Sequence, residues 1–212
     1  MYSDGLAQRI VPPLSELCTR AGCPVPRVVL RDDVVRAAAV RQRKGHLQLV
    51  LSRQFVDRVD NRQLRAIMAH EIAHITMHDL RWSKARAGVS MTVGTAAGVA
   101  ALALSSGNGI VFPVYLAGFI ISSMLIQVVL AFPNRRLERR ADLEGARIAE
   151  DPAGLASALA VAHSFTEEAR NRIYGPLPWR WLLSPLSWTL PTHPPMAQRI
   201  ATLESIAPVR AI

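Results

Sequence analysis

Residues 70–74 read His-Glu-Ile-Ala-His, two imidazoles four positions apart with a carboxylate directly after the first. On an α-helix that spacing advances about 6 Å along the axis and returns nearly to the same face, so both rings can reach one metal ion. Glu71 then stands one step round the helix, beside the metal position left open for water. Zinc suits such ligands, and bound zinc lowers the pKa of its water to about 7, where a neighbouring carboxylate can take the proton and later deliver it to a leaving amine. The motif therefore predicts zinc-assisted peptide hydrolysis, with His70 and His74 as ligands of one catalytic ion and Glu71 as general base.

A catalytic zinc needs a third protein ligand as well as its open position. His78 continues the four-residue series but lies about 12 Å from His70 along the helix axis, too far to share one ion. An H-x-x-G-x-x-H continuation is ruled out, because position 77 is Met and position 80 is Leu. Glu138 and Asp142, four apart on a second predicted helix, are the best-spaced carboxylates. One can bind the ion while the other orients a ligand imidazole through its second ring nitrogen. The competing reading is a solvated charged helix, in which Arg135, Arg136, Arg139 and Arg140 simply pair with them.

The elements that must position these residues follow from periodicity. Asp60, with Gln63 three residues on, reads as a capping box opening a helix that runs to about Arg86 and carries the histidines. Before it, Arg27 to Arg31 and His46 to Leu51 read as short strands, with Arg36 to Val40 a possible third. Residues 3–21 have helical apolar spacing interrupted by Pro12 and Pro13, which predicts two short helical pieces. Beyond the second metal-site segment, residues 135–150 and 153–170 read as helices separated by Asp151-Pro152. The Pro-rich stretch 171–195, with Trp179, Trp181 and Trp188, reads as a packed loop, a lid or a segment at a bilayer boundary.

Between the two site helices, residues 87–134 contain no Asp, Glu, Lys or Arg. The run divides at Ser105 to Gly109 into 87–104 and 110–132, each long enough to cross a hydrocarbon layer of about 30 Å as a helix. A pair of buried core helices is the alternative. Arg81, Lys84 and Arg86 precede the first segment, and the four arginines from 135 to 140 follow the second. A two-span membrane hairpin would thus place both flanks, and the site, on the cytoplasmic side of the cell membrane.

Composition agrees with a membrane partner. Half of the 212 residues are hydrophobic, and the mean hydropathy is +0.18. The formal charge of +9 carries no pattern that would read nucleic acid, so anionic lipid is its expected partner. Two cysteines, Cys18 and Cys23, are expected to be reduced and structural. Met1 to Pro13 lacks the features of a signal peptide, which predicts that the chain is not exported whole.

The order HEIAH, apolar hairpin, LERRAD (Leu137 to Asp142) and THPPMAQRI (Thr192 to Ile200) resembles the HtpX-type membrane zinc metalloproteases, relatives of the CAAX prenyl endopeptidases. The similarity covers roughly residues 14–206. It implies that His70, His74 and Glu138 bind zinc, Glu71 is the base and Asp142 supports a ligand. It further implies that Asp79 is the family's acidic residue after the second histidine, and that His193 is its tail histidine, steadying the transition-state oxyanion. The sequence departs from the family where Arg36-Ala37-Ala38-Ala39 replaces Asn-Ala-Phe-Ala and where Met77 replaces Asn. The expected fold is α+β and mostly helical: one gluzincin-like metallopeptidase domain over residues 1–212, with a small sheet and the inserted hairpin. The expected function is membrane-bound endopeptidase action on polypeptides, with oligomeric state left open. The rivals are a membrane sensor peptidase of the antibiotic-receptor type and a non-hydrolytic zinc-binding scaffold. THPPMAQRI argues against the first and the intact Glu71 against the second.

Overall fold

The computed structural model describes residues 4–32, 36–104, 111–174 and 194–206, apart from some side chains within the long helices. Seven helices and three strands are described: α1 (Asp4–Ala21), β1 (Arg27–Arg31), β2 (Ala38–Arg43), β3 (His46–Ser52), α2 (Arg53–Val56), α3 (Asn61–Thr76), α4 (Asp79–Leu104), α5 (Val111–Ala149), α6 (Pro152–Tyr174) and α7 (Met196–Ile206). The expected helix-rich α+β architecture with a small sheet is present. His193 and the three tryptophans of the Pro-rich stretch lie outside the described residues.

The sheet has the order β1-β3-β2, with β1 parallel and β2 antiparallel to the central strand. Register places Val28, Leu49 and Val40 in one row and Leu30, Leu51 and Ala38 in the next. Both rows pack into the hydrophobic core, so the alternation of a strand delivers one apolar face to the helices. Against that face lies α3, which buries ten of its sixteen residues. Its start is the capping box read from the sequence: Asp60 Oδ1 accepts from the Gln63 N–H at 2.7 Å and Gln63 Oε1 accepts from the Asp60 N–H at 3.2 Å.

Where periodicity alone set boundaries, packing moves them. Instead of two pieces, α1 is one helix with Pro12 and Pro13 inside it. Leu6, Ile10, Leu14 and Leu17 are all buried and anchor both halves to the core, which outweighs the lost backbone hydrogen bonds. The second apolar segment and the Glu138 segment are one 39-residue helix, α5, continuous through Pro133.

The helix of the histidines ends at Thr76, not near Arg86. Met77 caps it, and His78 adopts the left-handed conformation with φ of 58°. This break has a consequence for the site. In an unbroken helix Asp79 would lie about 140° round the axis from His74, facing elsewhere. After the break it turns back to His74.

From Asp79 the chain enters α4, which packs lengthwise on α5 through small residues: Gly94 stands against Ser123 and Phe119, Gly98 against Tyr115, and Gly118 against Ala97 and Ala101. A methyl group at any of the three would collide with the partner helix. Among the described residues, most of the exposed large apolar side chains belong to this pair, including Met91, Leu104, Ile121, Leu125, Val129 and Phe132. Among the described residues no helix is long and apolar enough to cross a membrane. Residues 105–110 and several side chains of the expected spans lie outside that description.

The break at His78 yields a test. His78→Val, which disfavours φ above zero, is expected to cost about 1–2 kcal/mol relative to His78→Gly. It should also weaken metal binding by displacing Asp79. Thermal unfolding of the metal-free proteins and a chelator competition measure the two effects, and equal behaviour of both variants would remove the break from the account of the site.

Candidate metal centre

Three elements converge on one point. From α3 come His70, Glu71 and His74; from α5 come Glu138 and Asp142; from β2 comes backbone. One ligand atom each of His70, His74 and Glu138 can be chosen so that all lie within 4.8 Å of one another. The two imidazole rings stand edge to face, 4.9 Å between centroids and 89° between planes. His70 Nε2 lies 3.9 Å from Glu138 Oε2, and His74 Nε2 lies 3.9 Å from Glu138 Oε1.

The outer nitrogens face other acids. His74 Nδ1 is 2.9 Å from Asp79 Oδ2, and His70 Nδ1 is 3.1 Å from Asp142 Oδ1, the latter without the alignment of a hydrogen bond. Each carboxylate therefore backs one ring, and both Nε2 atoms are left to turn toward Glu138. Two nitrogen donors and one carboxylate, convergent and buried but for the partly exposed His74, match the donor set of a catalytic zinc with a fourth position open. The residues present fit the ion that the motif implies.

Close approach of α3 and α5 is required for this. Glu138, Asp142 and Gly145 recur at i, i+4 and i+7 and so share one stripe of α5. At the last of these a Cβ would stand 2.8 Å from the His70 Cα and 3.0 Å from its backbone N. Only glycine lets the two helices meet there.

Glu71 is held from the opposite side. Its Oε2 accepts the Val40 N–H at 2.8 Å, so the free edge of β2 fixes the direction of the carboxylate. The sheet thus has a role in the site beyond packing.

The residue least visible in the sequence is Arg199, on α7. It is buried at 6% exposure, donates from Nε and Nη2 to both Asp142 oxygens at 2.7 and 2.6 Å, and approaches Glu138 Oε2 at 3.5 Å. The THPPMAQRI segment contains it, but nothing in the spacing distinguishes this arginine from the chain's many others. Its functional signal is the fork itself, a planar guanidinium matched to a planar carboxylate.

The electrostatics follow from burial and these partners. Burial pulls the His74 pKa down, yet the hydrogen bond to Asp79 and the charges of Glu71, Glu138 and Asp79 outweigh it and lift it to about 9. Burial pushes the Asp142 carboxyl up, and the hydrogen bonds from Arg199 together with the close approach of the His70 ring reverse this and hold it below the ordinary carboxylate range. The cluster attracts positive charge, whether carried by a proton on His74 or by a divalent cation.

Over residues 7–207 the chain matches the family model described as Peptidase family M48. It is 29% identical over 202 residues to a Protease HtpX homolog of Salinibacter ruber, with 92% of this chain and 72% of that protein covered. It is 30% identical over 210 residues to a Protease HtpX homolog of Ralstonia pickettii, covering 92% and 72% of the respective chains. With a Protease HtpX homolog of Burkholderia multivorans the identity is 31% over 216 residues, covering 91% and 72%.

The Arg199 fork predicts a pH-dependent stability. Because the folded-state pKa of Asp142 lies below its unfolded value of about 3.9, its stabilisation is complete above that pH and is lost as pH falls through the folded-state value. Without Arg199 the burial that disfavours the charged carboxylate is less opposed, so the penalty grows as pH rises and the group ionises. Arg199→Leu is expected to lose about 3–5 kcal/mol near neutral pH, the cost of an orphaned buried charge. The gap to the unaltered protein should narrow toward about pH 4, read by thermal unfolding of the metal-free proteins. A gap of constant size across that range would contradict the pairing.

Proposed function

The chain belongs to peptidase family M48, and on that premise we propose that it is a membrane-bound, zinc-dependent endopeptidase whose site faces the cytoplasm. The observation that carries the proposal is the convergence of His70, His74 and Glu138 beside Glu71 in a buried, acid-rich centre. In this reading His70, His74 and Glu138 hold the ion, and Asp79 and Asp142 fix the rings that face it. When bound, zinc would polarise the substrate carbonyl and lower the pKa of water at the open position.

The chain's own residues would do the rest. Glu71, aimed by the Val40 N–H, takes a proton from the attacking water as the new C–O bond forms and then passes it to the departing amine as the peptide C–N bond breaks. Asp79 and Asp142 hold His74 and His70 in one orientation through the cycle, and Arg199 keeps Asp142 ionised. The substrate class is polypeptide. Tail residue His193 is retained as a candidate for oxyanion stabilisation on the resemblance alone.

The membrane reading is supported by the uncharged run 87–134 and by the apolar outer surface of α4 and α5. Their contact through Gly94, Gly98 and Gly118 is the small-residue packing by which helices associate within lipid. An apolar surface of that kind on a protein in water is a liability to association. Lipid covering it resolves the conflict, with the two spans at about 87–104 and 110–132.

Two measurements test these proposals. Glu71→Gln is expected to retain zinc, quantified by metal analysis of detergent-purified protein, while casein hydrolysis falls at least about a hundredfold. Hydrolysis at an unchanged rate would strip Glu71 of its role. For the membrane, the protein should stay in the pellet after carbonate or high-salt washing. A single cysteine at Ser106, with Cys18 and Cys23 replaced, should react with an impermeant thiol reagent from outside the cell, and one at Ser83 should not. Release into the soluble fraction, or labelling at Ser83 alone, would overturn the cytoplasm-facing hairpin.

A further inference from the structure

The edge of the sheet next to Glu71 is chemically lopsided. As the last strand in the order β1-β3-β2, β2 has one strand neighbour among the described residues, and at Val40 its outer edge turns an N–H to the carboxylate of Glu71. Every second residue of such a strand points its backbone groups outward, so Ala38 and Gln42 present theirs to the same side as Val40. An extended polypeptide added along this edge would pass Glu71 at the level of Val40.

The two directions away from that level differ. Toward the hairpin tip come Arg41, Gln42 and Arg43 on the strand and Lys44 in the turn that follows it, three positive charges within about 14 Å of chain. The other way come Ala39, Ala38 and the buried Ala37, with Arg36 beyond the end of the strand. Arg41 and Arg43 lie on the face of β2 turned away from the core, opposite Gln48 and His46 of β3. The Arg41 Nε is bonded to the neutral Gln48 side chain at 3.1 Å. Arg43 and Lys44 are exposed, and neither forms an ion pair with a described residue. Across an added strand, Arg41 and Arg43 face side chains on the same side of the pleat, and Lys44, in the turn just past the strand end, extends the charge beyond them.

We propose that Arg41, Arg43 and Lys44 make this edge select polypeptides with acidic residues two to four positions from the scissile bond, on the flank that runs toward the β2–β3 tip. The inference rests on the peptidase reading and on strand addition to β2. It concerns which peptides bind, not how they are hydrolysed. Opposite charges paired across strands act at short range, so the preference is a property of one flank and not of the whole basic molecule.

The test uses the full chain in detergent carrying Glu71→Gln, so that binding is read without turnover. Its ligands are fluorescent casein-derived peptides with a cleavage site mapped on the active protein, built with a neutral sequence, three glutamates on the amino flank, or three on the carboxyl flank. Fluorescence anisotropy is expected to show one acidic flank bound about three- to tenfold more tightly than the neutral peptide, and the other not. Arg43→Gln with Lys44→Gln should remove the difference. Arg43→Glu with Lys44→Glu should transfer it to a peptide with lysines on the same flank, with the fold of both variants verified by thermal unfolding. Equal binding of the neutral and acidic peptides would overturn the proposal. So would equal gain from both acidic flanks, which marks general attraction to a basic protein, or a preference that survives the charge reversal. Whether the active protein cuts the neutral peptide reports on the peptidase reading separately.

Discussion

Four carboxylates, those of Glu71, Asp79, Glu138 and Asp142, surround two imidazoles where water has little access. An unpaired charge in such a place is strongly unfavourable, so the cluster must be matched by positive charge. Part of the match is permanent, because Arg199 grips Asp142 with two hydrogen bonds and reaches Glu138. Against the pull of burial, the Asp79 hydrogen bond and the negative charges of Glu71, Glu138 and Asp79 also raise the pKa of His74, so a proton on that ring is a second part of the match. A divalent ion held by His70, His74 and Glu138, as proposed, would satisfy the same demand more fully than a proton on one ring. Metal binding and the stability of this core are therefore one electrostatic problem.

Solving it requires parts of the chain that are remote in sequence. The sheet contributes through one backbone N–H at Val40, and α7 contributes through one guanidinium. Gly145 sets the distance between α3 and α5, and the left-handed His78 lets Asp79 turn back on His74. None of these four is a ligand. Each fixes a direction that a proposed ligand or the proposed base could not hold alone, since a side chain on a single helix has several rotamers open to it.

This division explains what can be read from the sequence. His70, Glu71 and His74 are legible because their relation is internal to one helix, and Glu138 with Asp142 for the same reason. The capping box at Asp60 and the strands at Arg27 and His46 are local too, and they appear where expected, whereas the third strand, expected at Arg36 to Val40, runs from Ala38 to Arg43. Arg199 and Val40 act across tens of residues of chain, and no periodicity reports a contact of that range. The boundaries misread from the sequence share a cause. Prolines 12, 13 and 133 are breakers by local rules, yet continuous helices pass through them, while the end of α3 at Met77 and His78 has no Gly or Pro to announce it. Tertiary packing decides both cases.

The continuity of α5 links the apolar pair to the chemistry. Asp79, which backs His74, opens α4, and Glu138 lies on the same helix as Phe132, about 9 Å further along its axis. Thus the apolar helices are joined to the donor set at both ends, through Asp79 on one side and Glu138 on the other. Had α5 ended at Pro133, a flexible joint would separate the pair from the carboxylate. As a single helix it cannot tilt or slide at its apolar end without moving Glu138 relative to the histidines of α3, unless it bends at that proline. The packing of α4 on α5 thereby becomes a geometric condition on the metal centre, and Gly94, Gly98 and Gly118, far from any ligand, belong to the apparatus that sets it.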